Sequence, residues 1–213
     1  MAQSQRVPGL SELLSSGIHH CAFRFEQGDV ELQKETSFNL ETNLHWHGRL
    51  LNFEGSVYRN AIENYVLIAP TWQVEQGYTF FQWQATDALF RGGEVAASLN
   101  ESHTDHWMAQ VAWSWVEASD SEGQALPLIP PMSTRAMLGY RWGSWHSRAI
   151  LQHSVDATLV HCSIGGTLAN QLDLTCSVHN VLNVEYIPTL SMLRNLGIAE
   201  PGRNVRIQLA WTF

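Results

Sequence analysis

The chain has 213 residues, a formal net charge of −8 and only 15 % charged residues, against roughly 25 % in ordinary soluble domains. That length can hold one sizeable unit, and the acidic balance without a basic run excludes a nucleic-acid partner. No apolar run approaches the ~20 residues of a spanning helix, which excludes a helical membrane protein but not a β-barrel, whose strands need only about 9–11 residues.

Residues 6–34 show little alternation, hold Pro8, Gly9, Gly17 and Gly28, and read as a long loop. The first strand is expected over 37–47, with Phe38, Leu40, Thr42, Leu44 and Trp46 on one face and Ser37, Asn39, Glu41, Asn43 and His45 on the other. After a tight Gly48-Arg49 turn, a second strand runs over 51–70 and a third over 78–99. Gly92-Gly93 in the third suggests a bulge or kink. A fourth strand follows over 106–117, with Trp107, Ala109, Val111, Trp113 and Trp115 on one side, and then a polar loop over 118–131. The fifth and sixth strands, 132–142 and 145–154, join at Gly143-Ser144, and a short link reaches the seventh, 159–168. The eighth, 172–179, alternates Leu172, Leu174, Cys176 and Val178 with polar residues. A long loop then leads to the ninth, where Val205, Ile207, Leu209, Trp211 and Phe213 oppose Arg206, Gln208, Ala210 and Thr212.

Nine two-faced strands fit either a soluble sandwich or a transmembrane barrel. Short turns alternating with longer loops favour the barrel. So does the gathering of Trp46, Trp107, Trp142, Trp145, Trp211 and Phe213 beside short turns or the C-terminus, because an indole keeps an apolar ring and a wet N–H at a membrane interface. The fold expected is an all-β, antiparallel up-and-down barrel portion with meander connectivity.

The run VHNVLNVEYIPTLSMLRNLGIAEPGRNVRIQLAWTF resembles the C-terminal signature of TonB-dependent outer-membrane receptors. The matching residues are Asn180, Leu182, Asn183, Tyr186, Gly197, Ile198, Glu200, Pro201, Gly202, Arg203, Asn204 and Phe213. The start, RVPGLSELLSSGIHH followed by FRFEQGDVELQKETSFNLE, resembles a segment of the same family in which the chain leaves one strand, forms an outer loop and begins the next. The resemblance implies an outer-membrane location, no enzymatic activity, no cofactor, and uptake of a metal chelate such as an iron–siderophore, another metal complex or a cobalamin-like ligand. It implies that residues 1–213 are the C-terminal portion of a barrel of about 22 strands, with 1–35 mostly extracellular loop and 36–213 strands. The plug, the energy-coupling box and the other strands are expected to be missing, so the chain is not expected to transport alone. The start holds no apolar signal-peptide core, which an exported protein needs and which points the same way. Expected partners are outer-membrane lipid, the barrel-assembly machinery through the last strand and Phe213, and the TonB system only through the plug.

His19 and His20 lie in the proposed outer loop and are the candidate ligand-binding residues, as imidazoles suited to a metal or its chelate; the plainer reading is two solvated histidines. His45 and His47 read as lumen or interface residues, and His103, Asp105 and His106 as a polar turn. Glu41, Glu54 and Glu94 are expected inward, within reach of Arg135, Arg141 and Arg148. Gly197, Pro201 and Gly202 read as shaping the approach to the last strand. Cys21, Cys162 and Cys176 form no CxxC pair, although Cys162 and Cys176 fall on the two arms of one hairpin. No nucleophile elbow, P-loop or dinucleotide fingerprint is present. The competing reading is a soluble β-sandwich ligand- or carbohydrate-binding module, with the Trp rows as stacking platforms.

Overall fold

The computed structural model describes residues 1–75, 77–99, 106–169 and 171–212. Its strands are β1 (Ala2–Arg6), β2 (Ser16–His19), β3 (Arg24–Gln27), β4 (Glu35–His47), β5 (Leu51–Glu75), β6 (Tyr78–Leu99), β7 (Trp107–Asp120), β8 (Ser133–Trp142), β9 (Trp145–Ser154), β10 (Thr158–Ala169), β11 (Leu172–His179) and β12 (Asn204–Trp211), with one short helix, α1 (Leu10–Leu14). β1 and β4 to β12 pair in chain order as an antiparallel meander, an open sheet with β1 and β12 at its edges. β2 and β3 form a small hairpin attached to β6.

The cross-strand register carries one apolar stripe across the sheet, because directly opposed residues share a face. From β4 to β7 it runs through pairs such as Trp46–Phe53, Thr42–Val57, Phe53–Ala97, Gly55–Val95 and Val95–Trp113. From β7 to β12 it continues through Ala109–Leu138, Ala136–Leu151, Leu151–Val160, Ile164–Cys176 and Leu174–Leu209. The opposite face holds Glu41, Glu54, Glu94, Gln110, Arg135, Arg148, Ser163, Thr175 and Arg206, as the alternation requires.

Among the described residues no second layer covers the apolar stripe. Leu44 is 59 % exposed, Leu138 53 % and Ile207 68 %, and among the described residues no large side chain is fully buried. A sandwich of this size would seal these side chains between two sheets about 10 Å apart, so the sandwich reading is overturned. Apart from Phe213, which lies outside the described residues, the tryptophans expected in a girdle stand on this stripe at the short-turn end. Trp46, Trp107, Trp142 and Trp211 are exposed, and Trp107 meets Tyr140 edge-on with centroids 4.8 Å apart. No helix among the described residues is long and apolar enough to cross a membrane.

Three expectations about the strands are corrected. First, Ala2–Arg6 forms a further strand, so ten strands make up the meander where nine were expected, and the loop expected over 6–34 contains α1 and the β2–β3 hairpin. Second, β5 does not stop at Pro70: Pro70 still opposes Phe81, and the register shifts only between Pro70 and Val74, as it also does between Ile62 and Tyr65. A proline, which has no N–H to give the ladder, is tolerated beside such an irregularity. Third, the register runs unbroken through Gly92 and Gly93. These glycines make room for rings. A Cβ on Gly92 would sit 2.5 Å from the Tyr58 hydroxyl on the polar face, and one on Gly93 would run into the Trp115 indole on the apolar face.

Cys162 and Cys176 share the apolar face but oppose Val178 and Ile164 respectively, a diagonal offset, and both are free thiols. The ion pairs expected between Glu41, Glu54 or Glu94 and the arginines of β8 and β9 do not follow from this register. Glu94 lies between Ser56 and Ser114, with β7 separating its strand from that of Arg135.

Candidate ligand-binding site

β5 has 25 residues and β6 has 22, far more than the about 9–11 of a bilayer-spanning strand. Their surplus rises at the loop end of the sheet, away from the tryptophan-bearing turns. Four segments gather against it.

The first is the strap from β1 to β4. Arg6 donates from Nε and Nη2 to the two carboxylate oxygens of Glu35 at 2.7 and 2.8 Å, and from Nη1 to both oxygens of Glu12 at 2.9 Å. Glu12 also accepts from the Gly9 N–H at the start of α1, at 2.7 Å. Glu35 accepts a further 2.8 Å bond from the Val66 N–H, a donor left over by the register shift in β5. Removing Arg6 (Arg6→Ala) is expected to loosen β1 by about 1 kcal/mol, the scale of a partly exposed ion-pair network. Faster amide exchange of Gln5 and Thr36, with unchanged exchange in β8 and β9, is the check.

The second segment is the β2–β3 hairpin. β7 pairs with β6 only as far as Ala88. Beyond it the free edge of β6 takes β3 in parallel, with Arg24 to Gln27 beside Thr79 to Gln82. Phe25 stacks on Phe80 with centroids 5.4 Å apart, and the Arg24 guanidinium lies 4.9 Å from the Phe81 ring centre. Buried Glu26 holds Arg24 through a 2.7 Å bond.

The third is the connection from β7 to β8. Leu126 donates to the Ala118 carbonyl at 2.9 Å, and its side chain packs with Ala88 and Ala118 against Tyr65, Leu67, Phe90 and Ile129.

The fourth is the connection between β11 and β12, which contains the asparagine motif. Asn180 and Asn183 both adopt left-handed backbone, φ 51° and 55°, which asparagine tolerates better than most residues. The amide of buried Asn180 makes two bonds to the Val184 backbone: Nδ2 donates to the carbonyl at 2.8 Å and Oδ1 accepts the N–H at 2.9 Å. Asn183 Oδ1 accepts the Arg203 N–H at 2.9 Å, while Arg203 Nε donates to the Val181 carbonyl at 2.9 Å. The two ends of the loop are thereby tied together. Gly202 passes close to Asn183, whose Oδ1 would lie 2.8 Å from a Cβ there. Gly197, φ 67°, closes a 3-10 turn over Arg194–Leu196. Pro201 is exposed. Thr189 donates to Asp156 Oδ1 from its N–H at 3.1 Å and from its hydroxyl, tying the loop to the turn before β10.

Tyr186 lies within this loop, and its carbonyl accepts the Glu200 N–H at 2.9 Å. Burial, reinforced by Glu200 and Asp156, pushes its phenol above the ordinary tyrosine range. The sign follows: the folded loop holds the proton more tightly than the unfolded chain, so its stability is complete below pH ~10, the ordinary tyrosine value, and declines as pH rises through the folded value. Increasing proteolysis within 187–200 under alkaline conditions is expected, and Tyr186→Phe abolishes that alkaline step.

Between these segments lies a hollow of about 410 Å³, lined by Ala22 and Arg24, by Ile68, Pro70 and Phe81, by Pro127 and Leu128, and by Thr189, Leu190, Ser191, Met192 and Arg194. Two arginines on a mainly apolar wall suit a bulky anionic ligand. His19 and His20, both exposed, precede Ala22 by three and two residues and are not among the residues that line the hollow. His19 Nδ1 accepts the Ala22 N–H at 3.1 Å, so Nε2 is the ring nitrogen not used in that bond. Among the described residues no group of three or more His, Cys, Asp or Glu is placed to hold a metal ion. His45, opposite Glu54, and His47, 3.4 Å from Asn52 Oδ1, belong to the turn end; His103 and Asp105 lie outside the described residues.

The family model for the β-barrel of TonB-dependent receptors matches residues 2–177. The chain belongs to the TonB-dependent receptors. Among solved structures, a copper transporter, OprC, is 19 % identical with a TM-score of 0.85, covering 99 % of this chain and 36 % of its own. The siderophore receptor PirA from Pseudomonas aeruginosa is 16 % identical with a TM-score of 0.72, covering 99 % and 38 %. The receptor FpvA from Pseudomonas aeruginosa PAO1, bound to pyoverdine, is 15 % identical with a TM-score of 0.62, covering 91 % and 32 %. The chain thus spans about a third of the receptors it matches, and at these identities the likeness is one of fold. A TonB-dependent receptor barrel accounts for the uncovered apolar stripe: in this family the stripe faces outward and the polar face lines the lumen.

Hairpin β2–β3, the Arg6 clasp and the Asp156–Thr189 tie have no periodic signature in the sequence. Only the double turn signal of Gly17 and Gly28 around FRFEQ hints at the hairpin.

Proposed function

We propose that this chain forms part of the wall of an outer-membrane receptor and contributes to capture of an anionic metal chelate at its outer end. The observation that carries this is the hollow between the β5–β6 tip, the β2–β3 hairpin and the β11–β12 loop, with Arg24 and Arg194 on its wall; the exposed His19 and His20 come two to three residues before Ala22 of that wall in the chain. The arginines attract the ligand's negative charge, Phe81, Ile68 and Met192 cover its apolar parts, and the histidines offer exchangeable contacts to its metal. In this reading the tryptophan-bearing turns lie in the periplasm, lipid covers the apolar stripe, and β12 with Phe213 is read by the barrel-assembly machinery. Because the chain corresponds to about a third of a receptor, translocation and contact with TonB belong to the longer receptor and not to these residues alone.

The test is binding of three probes to the membrane-inserted chain: a ferric tris-catecholate, free copper(II) and cobalamin, followed by tryptophan quenching. Saturable binding of the ferric complex is expected, weakened roughly tenfold when Arg24 and Arg194 are both replaced by Ala, the scale of a charge-assisted contact. Binding of none of the three, or ferric-complex binding indifferent to both arginines, contradicts the proposal.

A further inference from the structure

The apolar stripe is interrupted at one level. Arg59 of β5 directly opposes Arg91 of β6, and Arg91 in turn opposes Glu117 of β7. The register places all three on the same outward face as Val57, Gly93 and Trp115. All three are exposed, and none makes an ion pair or side-chain hydrogen bond with another described residue. Like charges directly opposed across a sheet repel, and a charged side chain on a lipid-facing surface is disfavoured unless it reaches the interface. The row keeps a net charge of +1 after Glu117 is counted against the two arginines, and Arg59 has only Leu40 on its other side.

The level explains how this is tolerated. Arg59 stands eight residues beyond Leu51, where β5 leaves its turn. Along a tilted strand that is a rise of about 20 Å, against an apolar band about 25 Å tall. A guanidinium at that height snorkels to the headgroups of the leaflet at the loop end. Directly beneath it, Trp115 lies over Gly93, where a Cβ would collide with the indole, and stacks on Trp113 with centroids 4.6 Å apart. An apolar platform thus lies below a pair of converging cations.

We propose that Arg59 and Arg91 bind the phosphate of a lipid headgroup in that leaflet, with Trp113 and Trp115 packing against the top of its acyl chains. A phosphate bridging two guanidinium forks offsets their mutual repulsion, which no carboxylate among the described residues does for Arg59. The proposal rests on the membrane reading above. It concerns the lipid side of the wall and is independent of the ligand hollow.

The test uses the full chain inserted into phosphatidylcholine vesicles containing spin-labelled phosphatidic acid, which bears a phosphate monoester, or spin-labelled diacylglycerol, which does not. The expected result is a several-fold preference for phosphatidic acid at the protein surface. Arg59→Ala with Arg91→Ala abolishes it, Arg59→Lys with Arg91→Lys retains part of it, and the lumen-side pair Arg135→Ala with Arg148→Ala leaves it intact. Tryptophan emission in the vesicles verifies that each variant has inserted. Insertion without the preference, or a preference that survives the Arg59/Arg91 double Ala variant, overturns the phosphate site while leaving the membrane reading standing. Failure of the unaltered chain to insert overturns both. Equal displacement by millimolar inorganic phosphate in the buffer overturns the assignment to lipid.

Discussion

Leu138→Arg is expected to destabilise the inserted chain by about 2–4 kcal/mol, the cost of a cation on the lipid face near the bilayer midplane of a barrel. Leu138 is 53 % exposed and stands between Ala109 and Ala149 on the outward stripe. It is four residues from Trp142 at the turn end, too far from either interface for the guanidinium to reach water without distorting the strand. Its neighbour Met137 points to the opposite face, between Gln110 and Ile150, so Met137→Arg places the same charge towards the lumen and is expected to cost much less. Urea titration of both variants in lipid vesicles measures the difference. Equal costs would remove the distinction between the two faces.

Asn180→Ala is the second large effect, and it acts on the loop rather than on the sheet. Asn180 is 4 % exposed, and its amide satisfies both backbone groups of Val184. Truncation leaves a buried N–H and C=O unpaired, at about 1–3 kcal/mol, and removes the short polar side chain that lets asparagine tolerate left-handed backbone, so that alanine bears more of the about 1–2 kcal/mol such backbone costs an L-residue. The sum, about 2–4 kcal/mol after partial relaxation, is enough to release the loop between β11 and β12 while β7 to β9 stay paired. Amide exchange at Val184 and Arg203 reads this directly. Asn180→Gly tolerates the backbone better and loses only the hydrogen bonds, so it is expected to fall between Asn180→Ala and the native residue. Asn180→Asp keeps the acceptor and loses the donor.

The strands were legible in the sequence because each carries its own evidence. Alternation in 37–47 or 204–211 needs no knowledge of the neighbours, and the apolar side chains it exposes become one stripe once the meander aligns them. The C-terminal motif was legible for a related reason: Asn180, Asn183, Gly197 and Gly202 are residue types chosen for unusual backbone or close approach, and such constraints persist in sequence. What could not be read was long-range and irregular. The five residues of β1 have no apolar alternation, and their pairing depends on Glu35, 29 positions from Arg6. Parallel pairing of β3 with β6 joins residues more than fifty apart, with no periodic cue. Gly92-Gly93 suggests a bulge in the sequence because a glycine pair inside a strand signals a bulge or a close approach equally well, and only the register shows Tyr58 and Trp115 lying over them. Arg59 and Arg91 interrupt the apolar row of their strands, but their opposition emerges only once β5 is aligned with β6.

The outward orientation of the apolar stripe is tested most directly by single spin labels on the inserted chain. Labels at Val111, Leu138 and Leu151 on the stripe, and at Gln110, Gln152 and Ser163 on the polar face, are compared for collision with oxygen, which partitions into lipid, and with a neutral nickel chelate, which stays in water. High oxygen and low nickel accessibility at the first three, with the reverse at the second three, is the expected result. Low accessibility to both reagents at Val111, Leu138 and Leu151 would mean a dry protein interior behind the stripe and would contradict a lipid-facing wall.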